Sequence, residues 1–252
     1  MRRPGSVGRR LLYQHIRIAD PDTGAERPAG EVGTILISDP TVFPGYVLGR
    51  AVDGHLISAQ GKVTDGWLDT GDLGYLDTDG FLHLTGRAKD LIIRGGHNID
   101  PRGIEDALLS HPAVSGAQAV GQPDERAGEA PVAYVTLRDG MVGEDELRAW
   151  AAAHVPEPAA APKAVRVPGA LPVTAVGKPH KLALRADAAR RVLGEVLGDI
   201  EQVAEVSADA DSGPVTVTVT LRASAPAGTA SEVERRVGAF AVTCRVVGQH
   251  PR

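Results

Sequence analysis

The sequence predicts an α+β protein that contains three successive domains. Residues 1–87 alternate short apolar runs with glycine- and proline-rich turns, a pattern typical of β structure. Residues 88–197 mix short apolar strands with amphipathic helical segments, and residues 198–252 repeat this mixture on a smaller scale. We therefore expect a β-rich domain, an α+β domain long enough for its own core, and a small extension.

The first domain is predicted to consist of strands and tight turns. "HIRIAD" and "EVGTILIS" have the alternation of half-buried strands, and the turn-forming run "PDTGAERPAG" separates them. "LGYLDTDGFLHLTG" predicts a hairpin with Asp79 and Gly80 in its turn. Residues 50–66 are polar and contain glycine, and we expect a surface loop there.

In the second domain, helices follow strands. "DLIIR" predicts a strand, and a helix follows in which Asp100 is the N-cap and Pro101 lies in the first turn. The remaining elements are the strand "APVAYVTL", the helix "EDELRAWAAAH", the strand "AVRV" and a last helix over about 180–197.

The extension after residue 197 predicts a β-β-α-β unit. "PVTVTVTL" alternates with period two, and "FAVTCRVV" predicts another strand. Between them, Ser231 and Glu234 have capping-box spacing at the start of a helix. No ligand-binding signature is present, so we expect a packing or stabilising role.

Composition excludes several classes of function. A net charge of −5 and a pI near 5.9 argue against general nucleic-acid binding. No apolar run reaches the roughly 18 residues that a membrane span needs. The single cysteine, Cys244, excludes an internal disulfide and a cysteine-built metal site. We expect a cytoplasmic protein.

Lys178 is notable because lysine is rare in this sequence. Among 27 lysines and arginines only five are lysines, and Lys178 follows a glycine in the loop "LPVTAVGKPHKLALR". An ammonium group is a compact charge on a flexible stem, whereas a guanidinium is a planar fork. The residue choice therefore favours a point charge in this loop, although a surface lysine near a helix start is the ordinary alternative.

Three stretches together carry a family resemblance. "GWLDTGDLG" (66–74), "GRAKDLIIRGGHNIDPRGIE" (86–105) and the Lys178 loop (171–185) occur in the order found in adenylate-forming acyl-CoA synthetases. Residues 5 to about 190 resemble the C-terminal part of this superfamily, which also contains luciferases and the adenylation domains of peptide synthetases. The resemblance implies a β-barrel subdomain, truncated at its N-terminus, followed by a mobile C-terminal lid domain.

The resemblance also implies nucleotide-binding residues. Asp72 would hold the ribose hydroxyls of ATP, since a carboxylate accepts two hydrogen bonds from a diol. Arg87 would lie near the ribose and the phosphates. The ordinary alternatives are a turn aspartate and an exposed arginine at a strand end.

The resemblance implies further roles for residues at and after the start of the lid domain. Lys89 occupies the position of the family's hinge, although hinges need backbone freedom more than a particular side chain. Gly95 and Gly96 would border the tunnel for the pantetheine arm of CoA, and a bulge or turn between two strands is the alternative. Lys178 would contact the carboxylate of the acid and the α-phosphate during adenylation. Lys181, one helical turn later, is expected to be a solvated charge.

The implied reaction uses a carboxylic acid, ATP and CoA, with Mg²⁺ held by ligands outside this chain. The family's phosphate loop, acid pocket and magnesium-binding glutamate precede the region that this sequence resembles, and none occurs here. We expect an N-terminal adenylation core in cis or in trans, and no adenylation by the chain alone. The alternatives are a non-catalytic module that pairs with a separate adenylating subunit, or an acid ligase that delivers to a carrier protein. The acid substrate is not predicted.

Overall fold

The computed structural model describes residues 3–43, 46–54, 56–59, 63–138, 142–210 and 214–248. The chain divides into two compact units, Met1–Asp90 and Leu91–Arg252. Within the described ranges, no helix is both long and apolar enough to cross a membrane. The three-domain division expected from the sequence stays a proposal.

The first unit is built from strands. Its strands are β1 (Gly8–Arg9), β2 (His15–Ala19), β3 (Gly33–Ser38), β4 (Tyr46–Arg50), β5 (Leu56–Ala59), β6 (Val63–Thr64), β7 (Trp67–Leu76) and β8 (Phe81–Arg87). Six of them form one antiparallel sheet in the order β1-β8-β7-β3-β2, with β6 paired to β7, and β4 pairs with β5. Ile18, Ile35 and Leu82 form its buried centre.

Two local predictions for this unit have different outcomes. The β7–β8 hairpin is confirmed, and its turn is closed by a 2.9 Å bond from the Gly80 N–H to the Asp77 carbonyl. The surface loop predicted over 50–66 is wrong in part, since β5 and β6 lie in this range. Residues 55 and 60–62 lie outside the described residues. The strands in this range are formed by hydrogen bonds between backbone groups, and a polar amino-acid composition does not indicate where such bonds form.

The second unit begins with an α+β domain. Its elements are β9 (Ile92–Arg94), β10 (His97–Ile99), α1 (Pro101–Leu109), β11 (Val114–Asp124), β12 (Gly128–Leu137), α2 (Glu144–His154), β13 (Ala164–Arg166) and α3 (Lys181–Val196). The sheet has the order β10-β9-β12-β11, and β13 pairs with β12 in parallel. The long strand β11 was not predicted, because its glycines, alanines and proline have low strand propensity.

Helices cover both faces of this sheet. Ala133 and Val135 of β12 face a cluster that contains residues of α1 and α2, whereas Val132 and Tyr134 face α3. This division follows the period of two along a strand. The predicted cap of α1 is confirmed, since the Asp100 side chain accepts a hydrogen bond from the Arg102 N–H at 2.9 Å.

The predicted β-β-α-β extension is confirmed. It contains β14 (Val203–Asp209), β15 (Thr216–Leu221), α4 (Thr229–Val237) and β16 (Thr243–Gly248), and the sheet order is β14-β15-β16. The capping box predicted at Ser231 is wrong, because α4 begins at Thr229 with Gly228 as its N-cap. Leu193 and Leu197 from the end of α3 belong to the same buried cluster as Val219, so α3 and the extension share a core.

Candidate functional site

Asp72 and Arg87 form an ion pair on the surface of the first unit. They are direct partners in the register of β7 and β8, and Arg87 Nε lies 3.1 Å from Asp72 Oδ1. The side chains are 32% exposed for Asp72 and 58% for Arg87, so the pair contributes little to stability. The pair does place a carboxylate beside a guanidinium at the surface, the groups that bind hydroxyls and phosphate oxygens.

The backbone around Asp72 is held by the neighbouring strand. The Asp72 N–H donates to Thr70 Oγ1 at 3.1 Å, and the Thr70 hydroxyl donates to the Ile35 carbonyl of β3 at 2.9 Å. The backbone at Asp72 is therefore fixed to β3 through Thr70, and a carboxylate that binds a ligand needs such support.

Lys89 lies at the end of the first unit. It belongs to a short 3₁₀ helix, Ala88–Asp90, and its side chain is exposed. The boundary between the two units follows Asp90. This position suits a hinge, because a few residues at the end of an element can absorb a change in φ and ψ. The hinge role of Lys89 stays a prediction.

Gly95 and Gly96 form the two-residue turn between β9 and β10. Arg94 and His97 on either side are paired, and φ is +58° at Gly95 and +86° at Gly96. Such turns need positive φ at both central positions, which explains two glycines. A Cβ built on either glycine meets no atom within 4 Å, so the turn is open to a ligand. The two glycines therefore form a turn between two strands, and a CoA-binding role of this turn stays a prediction.

Lys178 lies on a hairpin loop that is closed by its own backbone. The Thr174 N–H donates to the Lys178 carbonyl at 2.7 Å, and the Lys178 N–H donates to Thr174 Oγ1 at 3.2 Å. Val173 and Pro179 form a β-bridge at the base. The Lys178 side chain is exposed, and among the described residues it has no ion-pair partner. The loop therefore holds the backbone of Lys178 firmly and leaves the ammonium group available.

Lys181 is not the solvated charge that the sequence predicts. Its Nζ lies 2.8 Å from Glu105 Oε1, and the side chains are only 21% exposed for Lys181 and 13% for Glu105. Glu105 was missed as a site residue. The signal for it was its spacing on α1, four residues after the buried Pro101 and three before the buried Leu108. A carboxylate on this face of the helix needs a partner, because an unpaired charge there would be costly.

The electrostatics around this pair involve Asp100. Burial raises the pKa of the Asp100 carboxyl above its usual value, and the nearby Glu105 charge raises it further. The Arg102 N–H bond and the charges of Arg102 and Lys181 act in the opposite direction. The start of α1 and the start of α3 therefore meet in one cluster of charges.

A second polar region lies between α3 and the sheet. It encloses a cavity of about 180 Å³ whose lining includes Lys163, Arg166, Arg191 and Tyr134. Each of these cations is already paired with a carboxylate at 2.7–3.1 Å. Burial and the neighbouring Asp187 raise the pKa of the Tyr134 hydroxyl. The paired charges give this cavity no clear preference for an anion.

The chain matches one protein family and several curated proteins. Residues 103–178 match the family described as AMP-binding enzyme C-terminal domain. The marinolic acid–CoA ligase of Pseudoalteromonas sp. (strain SANK 73390) is 46% identical over 213 residues, which cover 82% of this chain and 32% of that protein. The sulfoacetate–CoA ligase of Cupriavidus necator is 46% identical over 144 residues, with 57% and 27% covered.

Solved structures agree with the sequence relatives. ATP-bound MatB from Rhodopseudomonas palustris is 32% identical with a TM-score of 0.64, and the match covers 78% of this chain and 36% of that one. The o-succinylbenzoate CoA synthetase of Bacillus subtilis, in complex with its acyl-adenylate intermediate, is 35% identical with a TM-score of 0.61 and covers 72% and 35%. The chain thus spans about a third of the length of the curated relatives that match over most of it.

Proposed function

Because the chain belongs to the adenylate-forming enzymes, as a C-terminal portion of an acyl-CoA synthetase, we propose that it supplies the lid and the adjoining β-rich subdomain of an AMP-forming acid–thiol ligase. In the first half-reaction a carboxylate oxygen of the acid attacks the α-phosphorus of ATP, and the bond to pyrophosphate breaks. In the second, the sulfur of CoA attacks the acyl carbon and AMP leaves.

Lys178 is the catalytic residue of the first half-reaction in this proposal. The observation that carries it is the closed hairpin that presents an exposed, unpaired ammonium group. Negative charge builds on the oxygens around phosphorus as the carboxylate attacks, and a positioned cation stabilises that charge. A long stem lets one ammonium group reach both the carboxylate and the α-phosphate.

Asp72 and Arg87 bind the nucleotide in this proposal. Their contact uses Oδ1 of Asp72, and within the described part of the chain no other side chain pairs with this carboxylate. Oδ2 can therefore accept a ribose hydroxyl while the guanidinium of Arg87 keeps free N–H groups for the phosphates. Lys89 marks the hinge on which the lid turns between the two half-reactions.

CoA is the proposed acceptor, and Gly95 and Gly96 border its path. The open space around this turn supports the idea, because a thin pantetheine arm can approach the bare backbone. Mg²⁺ would neutralise charge on the phosphates. No cluster of three or more His, Cys, Asp or Glu among the residues described is placed to hold a metal, and we place its ligands in an adenylation core supplied in cis or in trans. A cytoplasmic location fits these substrates.

Pyrophosphate exchange tests the proposal in the complete enzyme, in which this chain is joined to or mixed with its adenylation core. Lys178→Ala should lower exchange by ~10²–10³, the usual loss for one electrostatic donor. Thioester formation from supplied acyl-adenylate should survive, and Lys178→Arg should rescue poorly because its planar head fits differently.

Lys163→Ala is the matched control, since Lys163 is a 61% exposed lysine of the same unit that already pairs with Asp124. Its exchange rate should equal that of the wild type. The 252-residue chain alone should catalyse no exchange, because its sequence holds no phosphate loop. Normal exchange by Lys178→Ala would remove Lys178 from catalysis.

A further inference from the structure

The Lys178 hairpin, residues Val173–Pro179, has few attachments to the rest of its unit. Inside the hairpin, hydrogen bonds run between Thr174 and Lys178 and from the Gly177 N–H to the Thr174 carbonyl at 2.8 Å. On its N-terminal side, Leu171 packs against the cluster between the sheet and α3. On its C-terminal side the chain enters α3 directly, so the start of that helix sets the position of the hairpin.

The start of α3 is not held by an N-cap. His180 is the N-cap residue, and its side chain makes no capping hydrogen bond. The first helical residue, Lys181, instead reaches across to α1 and binds Glu105 at 2.8 Å. This bond joins residues 76 positions apart, and it lies three residues after Lys178.

Glu105 also binds the edge of the sheet. Its Oε1 accepts the N–H of the fully buried Ala119 at 3.0 Å, and β11, which contains Ala119, is the last strand in the sheet order. One carboxylate oxygen thus joins three elements: α1, the edge strand β11 and the first turn of α3. Low exposure strengthens such a charge-assisted bond relative to the same pair in water.

We propose that Lys181 and Glu105 are positioning residues that fix the Lys178 hairpin relative to the sheet of its unit. The inference rests on the proposed role of Lys178 in adenylation. Lys181 does not touch the reacting atoms. It holds the base of the hairpin, so that the ammonium group of Lys178 enters the site from one defined direction. Without a positive charge at position 181, the largely buried side chain of Glu105, 13% exposed, would lose its ion-pair partner.

Hydrogen–deuterium exchange on the 252-residue chain tests the anchoring without any enzymatic activity. Lys181→Met keeps most of the side-chain volume and removes the charge. The amides of His180 and Ala183 bond to the carbonyls of Pro172 and His180 at the base of the hairpin, at 2.9 and 3.1 Å. Exchange at these two amides should accelerate by roughly tenfold or more, the scale expected when a hydrogen bond to a charged group is lost. The central amides of β12 should keep their wild-type rates, and Lys181→Arg should restore most of the protection.

Arg185→Met is the matched control. Arg185 lies one turn later on α3, and its pair with Glu129 has the same 2.8 Å distance and similar exposure, 20% for Arg185 and 28% for Glu129. This variant removes a comparable ion pair, together with a bond to the Leu91 carbonyl at 3.3 Å, from the same helix but not from the base of the hairpin. The amides of His180 and Ala183 should stay within about twofold of the wild type. Equal protection of these amides in Lys181→Met and the wild type would overturn the proposal.

Half-reactions in the complete enzyme test the consequence. Lys181→Met should lower kcat for pyrophosphate exchange about tenfold with little change in the KM for ATP, and it should spare acyl transfer from supplied adenylate. Normal exchange by Lys181→Met beside impaired exchange by Lys178→Ala would overturn the positioning role. If Lys178→Ala itself is normal, the proposed function fails, and the deuterium exchange still decides the anchoring.

Discussion

At the scale of single residues, this chain combines rigid backbone with open side chains. Lys178 is held by backbone bonds on a closed hairpin, and its ammonium group stays exposed. Asp72 is braced through Thr70 to β3 in the same way. This combination suits side chains that bind a charged ligand, because a fixed backbone limits the conformational entropy that is lost when the side chain contacts the ligand.

The Gly95–Gly96 turn allows a prediction about the thioester step. In the complete enzyme, Gly96→Trp should block acyl transfer to CoA and leave adenylate formation intact, because the indole would occupy the path proposed for pantetheine. The indole has space to project outward, although the positive φ of +86° strains it as it strains alanine, so the variant should lose some stability and still fold. Measuring both half-reactions separately checks this.

Gly96→Ala is its control, since alanine meets the same positive φ, +86°, without the bulk. It should lose stability and keep most acyl transfer. Unchanged acyl-CoA production by Gly96→Trp would contradict a tunnel at this turn.

At the scale of elements, α3 connects the α+β domain with the extension. Its first half packs on the sheet through Leu184 and Ala188, and its end packs against β15 and α4 through Leu193 and Leu197. An ion pair adds to this second contact, because Arg236 of α4 binds both Glu232 and Asp199. The extension is therefore a packed part of the second unit, as the expected packing or stabilising role requires.

Leu197→Ala should destabilise the second unit by about 2–5 kcal/mol, because it opens a cavity in the core that α3 shares with the extension. Leu197 is 1% exposed. Urea unfolding followed by circular dichroism at the helix band measures this, since the α-helices of the described residues all lie in the second unit. Leu109→Ala, 43% exposed, should change stability by less than about 0.5 kcal/mol. Equal stability of both variants would exclude a shared core.

Asp124 in the β11–β12 turn gives a prediction about pH. The Ala127 N–H, followed by the Lys163 ammonium and the Arg126 N–H, lowers the pKa of Asp124 from 3.8 to about 2. Because the pKa is depressed in the folded state, the ionised carboxylate stabilises the fold at pH values above the ordinary pKa of aspartate. This contribution to the free energy of unfolding is lost as the pH falls from about 4 to about 2.

The free energy of unfolding of Asp124→Asn should therefore lie below that of the wild type at pH 7, and the gap should close toward pH 2. Urea titrations at several pH values check this. Asp145→Asn, on a side chain that is 96% exposed, should show no such closing gap. A gap that is constant with pH would contradict the assignment to ionised Asp124.

At the scale of the whole molecule, the division after Asp90 predicts where the chain is cleaved first. Limited trypsin treatment should cut after Lys89, which is exposed and lies one residue before the boundary, before it cuts elsewhere in either unit. Mass spectrometry of the early fragments identifies the bond. Lys89→Gln should slow this cleavage without changing the fold. Resistance of residues 86–92, with early cleavage elsewhere, would contradict two separate bodies joined there.

The sequence by itself determined the features that depend on neighbours along the chain. The Asp100 cap, the Asp79–Gly80 turn, the β-β-α-β order of the extension and the motif around Lys178 all depend on a few consecutive residues. Local hydrogen bonds and periodicity carry that information, so it can be read without the fold. The family followed from the order of three such motifs.

Only the tertiary structure decided contacts between distant residues. The Lys181–Glu105 pair spans 76 positions, the edge strand β11 depends on its pairing with β12, and the core around Leu197 depends on strands that follow α3. Lys181 looks solvated in its local sequence because its partner lies on another helix. A charge is buried or exposed according to what the folded chain brings beside it, and this is set by long-range packing.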